Sequence, residues 1–112
     1  MSPKRSISSK DGFSDIFDNP DQKHSTKNIL ILSKDNDLGF SRIGVAIRKK
    51  DNRLAVDRNN IKRKIKGSFL AMVLKLPHKD FVVYVKKNLK GKEEELKKDL
   101  DKIWGRFTGN ND

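Results

Sequence analysis

Residues 42–66 read Arg-Ile-Gly-Val-Ala-Ile-Arg-Lys-Lys-Asp-Asn-Arg-Leu-Ala-Val-Asp-Arg-Asn-Asn-Ile-Lys-Arg-Lys-Ile-Lys. Two periodicities meet in this stretch. In 42–47, Ile43, Val45 and Ile47 alternate with small residues, the pattern of a strand that buries one face. After a basic turn or loop over 48–56, the apolar spacing becomes helical. Advancing about 100° per residue from Ile61 puts Ile65, Ser68, Phe69, Met72 and Leu76 on one stripe, the expected core side. Asn59, Lys62, Arg63 and Lys66 fall together on a separate arc. Asp57 is the expected N-cap of a helix beginning at Arg58. That helix is expected to run to about Lys75, where Leu76-Pro77-His78 ends it.

Working outward, residues 11–18 are expected to form a short helix that sets Phe13 and Phe17 one turn apart. Asn19-Pro20-Asp21 stops it. Ile29-Leu30-Ile31-Leu32 reads as a buried strand. Residues 33–41 read as a loop. Phe81-Val82-Val83-Tyr84-Val85 reads as a second buried strand from its β-branched and aromatic content. Residues 92–107 read as an amphipathic helix with Leu96, Leu100, Ile103, Trp104 and Phe107 on one stripe. A further short strand is allowed in 21–27 or 48–56. The expected fold is α+β, a single two-layer α/β sandwich in the order α-β-β-(β)-α-β-α. The expected organisation is a flexible N-terminus over 1–9, one domain over 10–107 and a frayed tail over 108–112.

The charge is uneven. The chain carries 26 Lys and Arg against 15 Asp and Glu, a net +11. Residues 42–66 hold ten basic and two acidic groups, net +8, whereas residues 1–41 are balanced at six and six. Concentrating like charge costs stability through self-repulsion, so such a segment points to a polyanionic partner. Arg58, near the expected helix start, adds its charge to the free N–H groups there. An anionic membrane is not the expected partner, because no apolar run approaches the roughly 18–20 residues that span a bilayer. No secretion signal is expected, since Met1-Ser2-Pro3-Lys4-Arg5 is not followed by an apolar run. Cysteine is absent, which excludes disulfide and thiolate chemistry. These features fit a cytoplasmic protein.

Taken as a set, Arg42-Ile43-Gly44-Val45-Ala46-Ile47-Arg48-Lys49-Lys50, then Asp57-Arg58-Asn59-Asn60-Ile61-Lys62-Arg63, then Gly67-Ser68-Phe69, resemble the signature region of the bacterial ribonuclease P protein family. That family has an Arg-Asn-Arg motif followed by an apolar residue and Lys-Arg, downstream of a strand ending in Lys-Lys. The likeness extends over roughly residues 10–107. It implies contacts from Arg58, Asn59, Lys62 and Arg63 to a catalytic RNA, with Lys49, Lys50 and Lys66 adding to that surface. It implies a cleft for the single-stranded leader of precursor tRNA, lined by Phe13, Phe17, Arg48 and Tyr84, where bases stack on aromatics regardless of sequence. It also implies a left-handed β-α-β crossover, against the general right-handed preference. Mg²⁺ is then held mainly by the RNA, and neither a metal bound by the protein alone nor a protein partner is expected. Two positions depart from the family. Asn60 replaces the second Arg of the motif, removing a bidentate donor. Gly67 stands where an acidic or amide residue is usual, at up to about 1 kcal/mol in helix propensity against Ala.

No protein-borne active site is expected. His24 and His78 are isolated, and consecutive Glu93-Glu94-Glu95 fan out around a helix and favour its N-terminus instead. A small ribosomal-type or chaperone-like RNA-binding protein explains the charge equally well. It does not explain the ordered likeness along the chain. A DNA-binding helix over 58–75 is a further alternative, since Arg and Asn read base edges, but no helix-turn-helix partner precedes it.

Overall fold

In the computed structural model, residue 7 and residues 13–108 are described. The elements run α1 (Phe13–Asp18), β1 (Gln22–Ser25), β2 (Ile29–Asp35), β3 (Arg42–Ile47), α2 (Ala55–Met72), β4 (Lys79–Val85) and α3 (Glu93–Phe107). The order is the expected one, and the optional extra strand is β1, in 21–27. The four strands form one sheet in the order β1-β2-β4-β3. β2 pairs antiparallel with β1 and with β4. β3 and β4 are parallel neighbours joined through α2.

Strand alternation divides the sheet into two faces. On one face Ile29, Ile31, Ile43, Phe81, Val83 and Val85 meet Ile61, Ile65 and Phe69 of α2 and Leu96, Leu100, Ile103 and Trp104 of α3. The centre of this core is aromatic. Phe81 lies edge-on to Trp104 and Phe107, with centroids 5.4 and 5.0 Å apart, and Phe69 is 5.9 Å from Trp104. Trp104 Nε1 donates to Ser68 Oγ at 3.0 Å, so the buried indole keeps its hydrogen bond. Among the described residues, fewer side chains cover the opposite face. Ile16 of α1 and Ile7 pack on Leu32 and Val82, with Phe17 and Leu30 at the margin. Ile7 lies inside the stretch expected to be loose, yet it is buried and donates its N–H to Ile43 O at 2.8 Å. The rest of 1–9, and the expected tail beyond Thr108, lie outside the described residues.

Several boundaries differ from expectation. α2 begins at Ala55, one turn before Arg58, and its N-cap is Leu54 with no side-chain cap. Ala55 and Val56 can join because the turn before them is closed by other bonds, and Ala is the best helix former. Asp57 therefore lies inside the first turn, where its charge suits the helix dipole without capping. α2 ends at Met72, before Lys75. Lys75 N–H already bonds to Met72 O in a tighter turn. β2 extends to Asp35 because Asp80, Phe81 and Val82 of β4 continue the ladder along Lys34, Ser33 and Leu32.

Phe69 is where α2, β4 and α3 meet. Phe69→Ala should cost about 3–5 kcal/mol through lost burial and the cavity left behind. Chemical denaturation of the variant checks this. A loss below about 1 kcal/mol would mean that the aromatic cluster is not the core's centre.

Candidate nucleic-acid interface

α2 is held to the sheet by Ile61, Ile65 and Phe69, all buried. Its opposite side faces solvent. Asn59, Lys62 and Arg63 are exposed and Lys66 is half-buried. Together with Gly67 and Leu70 they line one shallow depression. Among the described residues no acidic side chain lines it. Among the described residues neither Lys62 nor Arg63 has an ion-pair partner. The arc expected from helical spacing therefore exists as a continuous cationic surface.

Arg58 has a different environment. It is half-buried, and its Nη1 donates to Asn52 O at 3.0 Å and Arg53 O at 2.8 Å. Part of its donor set thus ties the preceding turn to the helix. In that turn, Asp51 N–H and Asn52 N–H both donate to Arg48 O, which projects Lys49 and Lys50 into solvent. The turn is anchored by Asn52, only 1% exposed. Its Nδ2 donates to Lys87 O at 3.0 Å, and its Oδ1 accepts from Leu89 N–H at 3.1 Å. Sequence reasoning missed Asn52, since an Asn in a basic loop reads as an ordinary turn residue.

The charge of 42–66 is not all free. Arg42 is committed inward: its Nε and Nη2 donate to the Asp80 carboxylate at 2.8 and 2.6 Å, and Asn36 Nδ2 donates to the same carboxylate. Arg48 Nε pairs with Asp51 at 2.9 Å. Lys49 and Lys50 at the turn tip and Lys62 and Arg63 on the outer arc of α2 remain exposed.

A second surface lies on the open sheet face. Phe17 and Tyr84, both half-buried, meet edge-to-face with centroids 6.1 Å apart. The Arg48 guanidinium carbon is 5.9 Å from the Tyr84 ring centre, a cation–π distance. Strand register puts Leu30 and Ala46 on either side of Tyr84. Three of the four expected cleft residues, Phe17, Arg48 and Tyr84, are therefore brought together. Phe13 opens α1, and its side chain lies outside the described residues.

Among the described residues no three His, Asp or Glu side chains come together as metal ligands. His24 lies edge-on to Phe107. Its pKa is lowered by burial and then by the neighbouring Arg106 guanidinium. No helix among the described residues is long and apolar enough to cross a membrane.

A sheet backed by two helices, one turning an acid-free row of cations outward, defines a small α+β protein built to meet a polyanion. The Ribonuclease P family profile matches residues 1–108, and the chain belongs to that family. It is 38% identical over 99 residues to the ribonuclease P protein component of Stutzerimonas stutzeri, covering 88% of this chain and 76% of that one. It is 41% identical over 97 residues to that of Ectopseudomonas mendocina, covering 86% and 72%. The RNase P protein of Staphylococcus aureus superposes with a TM-score of 0.79 at 21% identity, over 90% of this chain and 93% of that one. That of Thermotoga maritima gives 0.78 at 21% identity, over 92% and 97%. At such identities the structural likeness speaks for the fold.

Asn52→Ala should leave the Lys87 carbonyl and the Leu89 N–H unpaired in a buried place, at about 1–3 kcal/mol. The expected result is a lower melting temperature with faster amide exchange at Leu89. Unchanged exchange there would show that Asn52 does not hold the turn.

Proposed function

We propose that this chain is the protein subunit of a ribonuclease P ribonucleoprotein and supports removal of the 5′ leader from precursor tRNA. The observation that carries this reading is the acid-free cationic arc of α2 in a chain whose family match spans residues 1–108. Lys62, Arg63 and Lys66 sit at one-turn spacing on a rigid helix, which suits successive phosphates of a folded RNA. Asn59 adds an amide, and Lys49 and Lys50 extend the surface at the turn tip. Arg58 contributes its remaining donors while fixing the turn.

The active site in this reading belongs to the RNA. The RNA carries the bond-breaking chemistry in this reading, and the protein's residues are assigned to binding. Mg²⁺ held by the RNA supplies the activated water in this reading. The protein's cations lower RNA–RNA repulsion, so less Mg²⁺ is needed to fold and hold the complex. The single-stranded leader lies over Tyr84 and Phe17, with Arg48 beside them for its phosphates. Base–aromatic stacking is worth about 1–3 kcal/mol per base, so precursor binds more tightly than mature tRNA and product leaves readily. The cytoplasm is the proposed location, where precursor tRNA is made.

The test is cleavage of a precursor tRNA by a transcribed bacterial ribonuclease P RNA at low Mg²⁺, with and without the protein. Wild type should restore cleavage. Lys62→Ala/Arg63→Ala should weaken RNA binding by about 10- to 100-fold and lower the salt slope by roughly 2. Raising Mg²⁺ should rescue that variant. Tyr84→Ala should leave RNA-subunit binding intact and shrink the preference for precursor over mature tRNA. If wild type binds the RNA and leaves cleavage unchanged, the chain is a general RNA-binding protein instead.

A further inference from the structure

The depression on the outer side of α2 is more than a row of cations. Its rim is Asn59, Lys62, Arg63 and Lys66, and its remaining wall is Gly67 and Leu70. Leu70 is 55% exposed, and Leu74, one turn further, is 93% exposed. Leu70 thus sets exposed apolar surface beside the cationic arc. Paired RNA offers phosphates and ribose outward and keeps its base planes stacked inside. It could neutralise Lys62, Arg63 and Lys66 and would still leave Leu70 bare. An unpaired nucleotide carries both chemistries, a phosphate and an apolar base face about one turn of helix apart.

Gly67 is the second observation. Glycine in a helix interior costs about 1 kcal/mol relative to alanine. Close packing does not require it here, since a Cβ built on Gly67 meets no atom within 4 Å. Gly67 lines the depression beside Leu70, and its missing side chain leaves helix backbone exposed there, where a planar ring can lie close.

We propose that this hollow receives one unpaired nucleotide of the partner RNA. Its phosphate would rest among Lys62, Arg63 and Lys66, and its base would lie across Gly67 and against Leu70. Asn59, at the rim, offers one donor and one acceptor to a base edge. The proposal rests on the reading of α2 as the RNA-binding face and specifies what part of an RNA that face takes.

The experiment uses the whole chain and a transcribed bacterial ribonuclease P RNA as the probe. Binding is titrated at several salt concentrations beside thermal melts of the free proteins. Gly67→Ala should raise the melting temperature by a few degrees, through helix propensity alone. Gly67→Leu, which fills the hollow, and Leu70→Ser, which removes the apolar wall, should each weaken binding about 5- to 50-fold, with the salt slope unchanged. Base-specific chemical modification should find one unpaired nucleotide protected by wild type and exposed with Gly67→Leu. Melts show whether each variant is folded, and Leu70 is too exposed for its loss to disturb the core. The proposal is overturned if Gly67→Leu and Leu70→Ser both bind within about twofold of wild type while Lys62→Ala/Arg63→Ala binds weakly; α2 is then a plain phosphate surface. If the Lys62→Ala/Arg63→Ala protein also binds like wild type, the RNA-binding reading of α2 fails with it.

Discussion

Everything that α2 turns toward solvent depends on what Ile61, Ile65 and Phe69 do on its inner side. A helix with so many cations repels itself, and its outer arc contributes nothing to folding. The inner stripe must therefore hold the whole element against the sheet. It does so by meeting Phe81 and Trp104, residues from two other elements, in one aromatic cluster. Burial of a few large rings offsets the repulsion of a charged face. The parallel β3–β4 pair then fixes both ends of the connection, so the cationic arc is presented from a rigid frame.

The same frame separates the two candidate surfaces. The arc of α2 lies on the helix-covered side of the sheet, and the Phe17–Tyr84–Arg48 group lies on the other. The turn after β3 joins them. Arg48 faces Tyr84, Lys49 and Lys50 project outward, and Asn52 with Arg58 stitches the turn to the start of α2. The two surfaces are therefore held at one fixed angle to each other.

Much of this was legible in the residues. Alternation in 42–47 and the β-branched run in 81–85 specify strands, because each buries one or both faces. The stripe from Ile61 to Leu76 and the stripe from Leu96 to Phe107 specify helices for the same reason. The start of α2 was not legible, because it depends on Asn52 reaching the carbonyl of Lys87, 35 residues away. Nor was β1 evident as more than an option. Gln22, Lys23, His24 and Ser25 carry no apolar pattern and are ordered by pairing with the strongly apolar β2. At the site, helical spacing was enough to find Asn59, Lys62, Arg63 and Lys66. Charge counting overstated Arg42, whose guanidinium is bound to Asp80, because a sequence records charge and not its partner. The hollow beside Gly67 could not be foreseen at all, since spacing says which residues share a face and not whether that face is flat.

The ends of the sheet carry a different consequence. An outermost strand offers unpaired N–H and C=O groups to any passing chain, and natural sheets blunt such edges with charge, short length or a covering segment. β1 is four residues long, polar throughout and bears Lys23. β3 has no such protection of its own, as Ile43, Val45 and Ile47 give it an apolar, strand-forming sequence. Ile7 lies against it and takes up the Ile43 carbonyl. Ile7 thus occupies one edge carbonyl of the strand whose sequence is most able to recruit another chain. With that carbonyl taken, the β3 edge offers a passing strand one acceptor fewer to pair with.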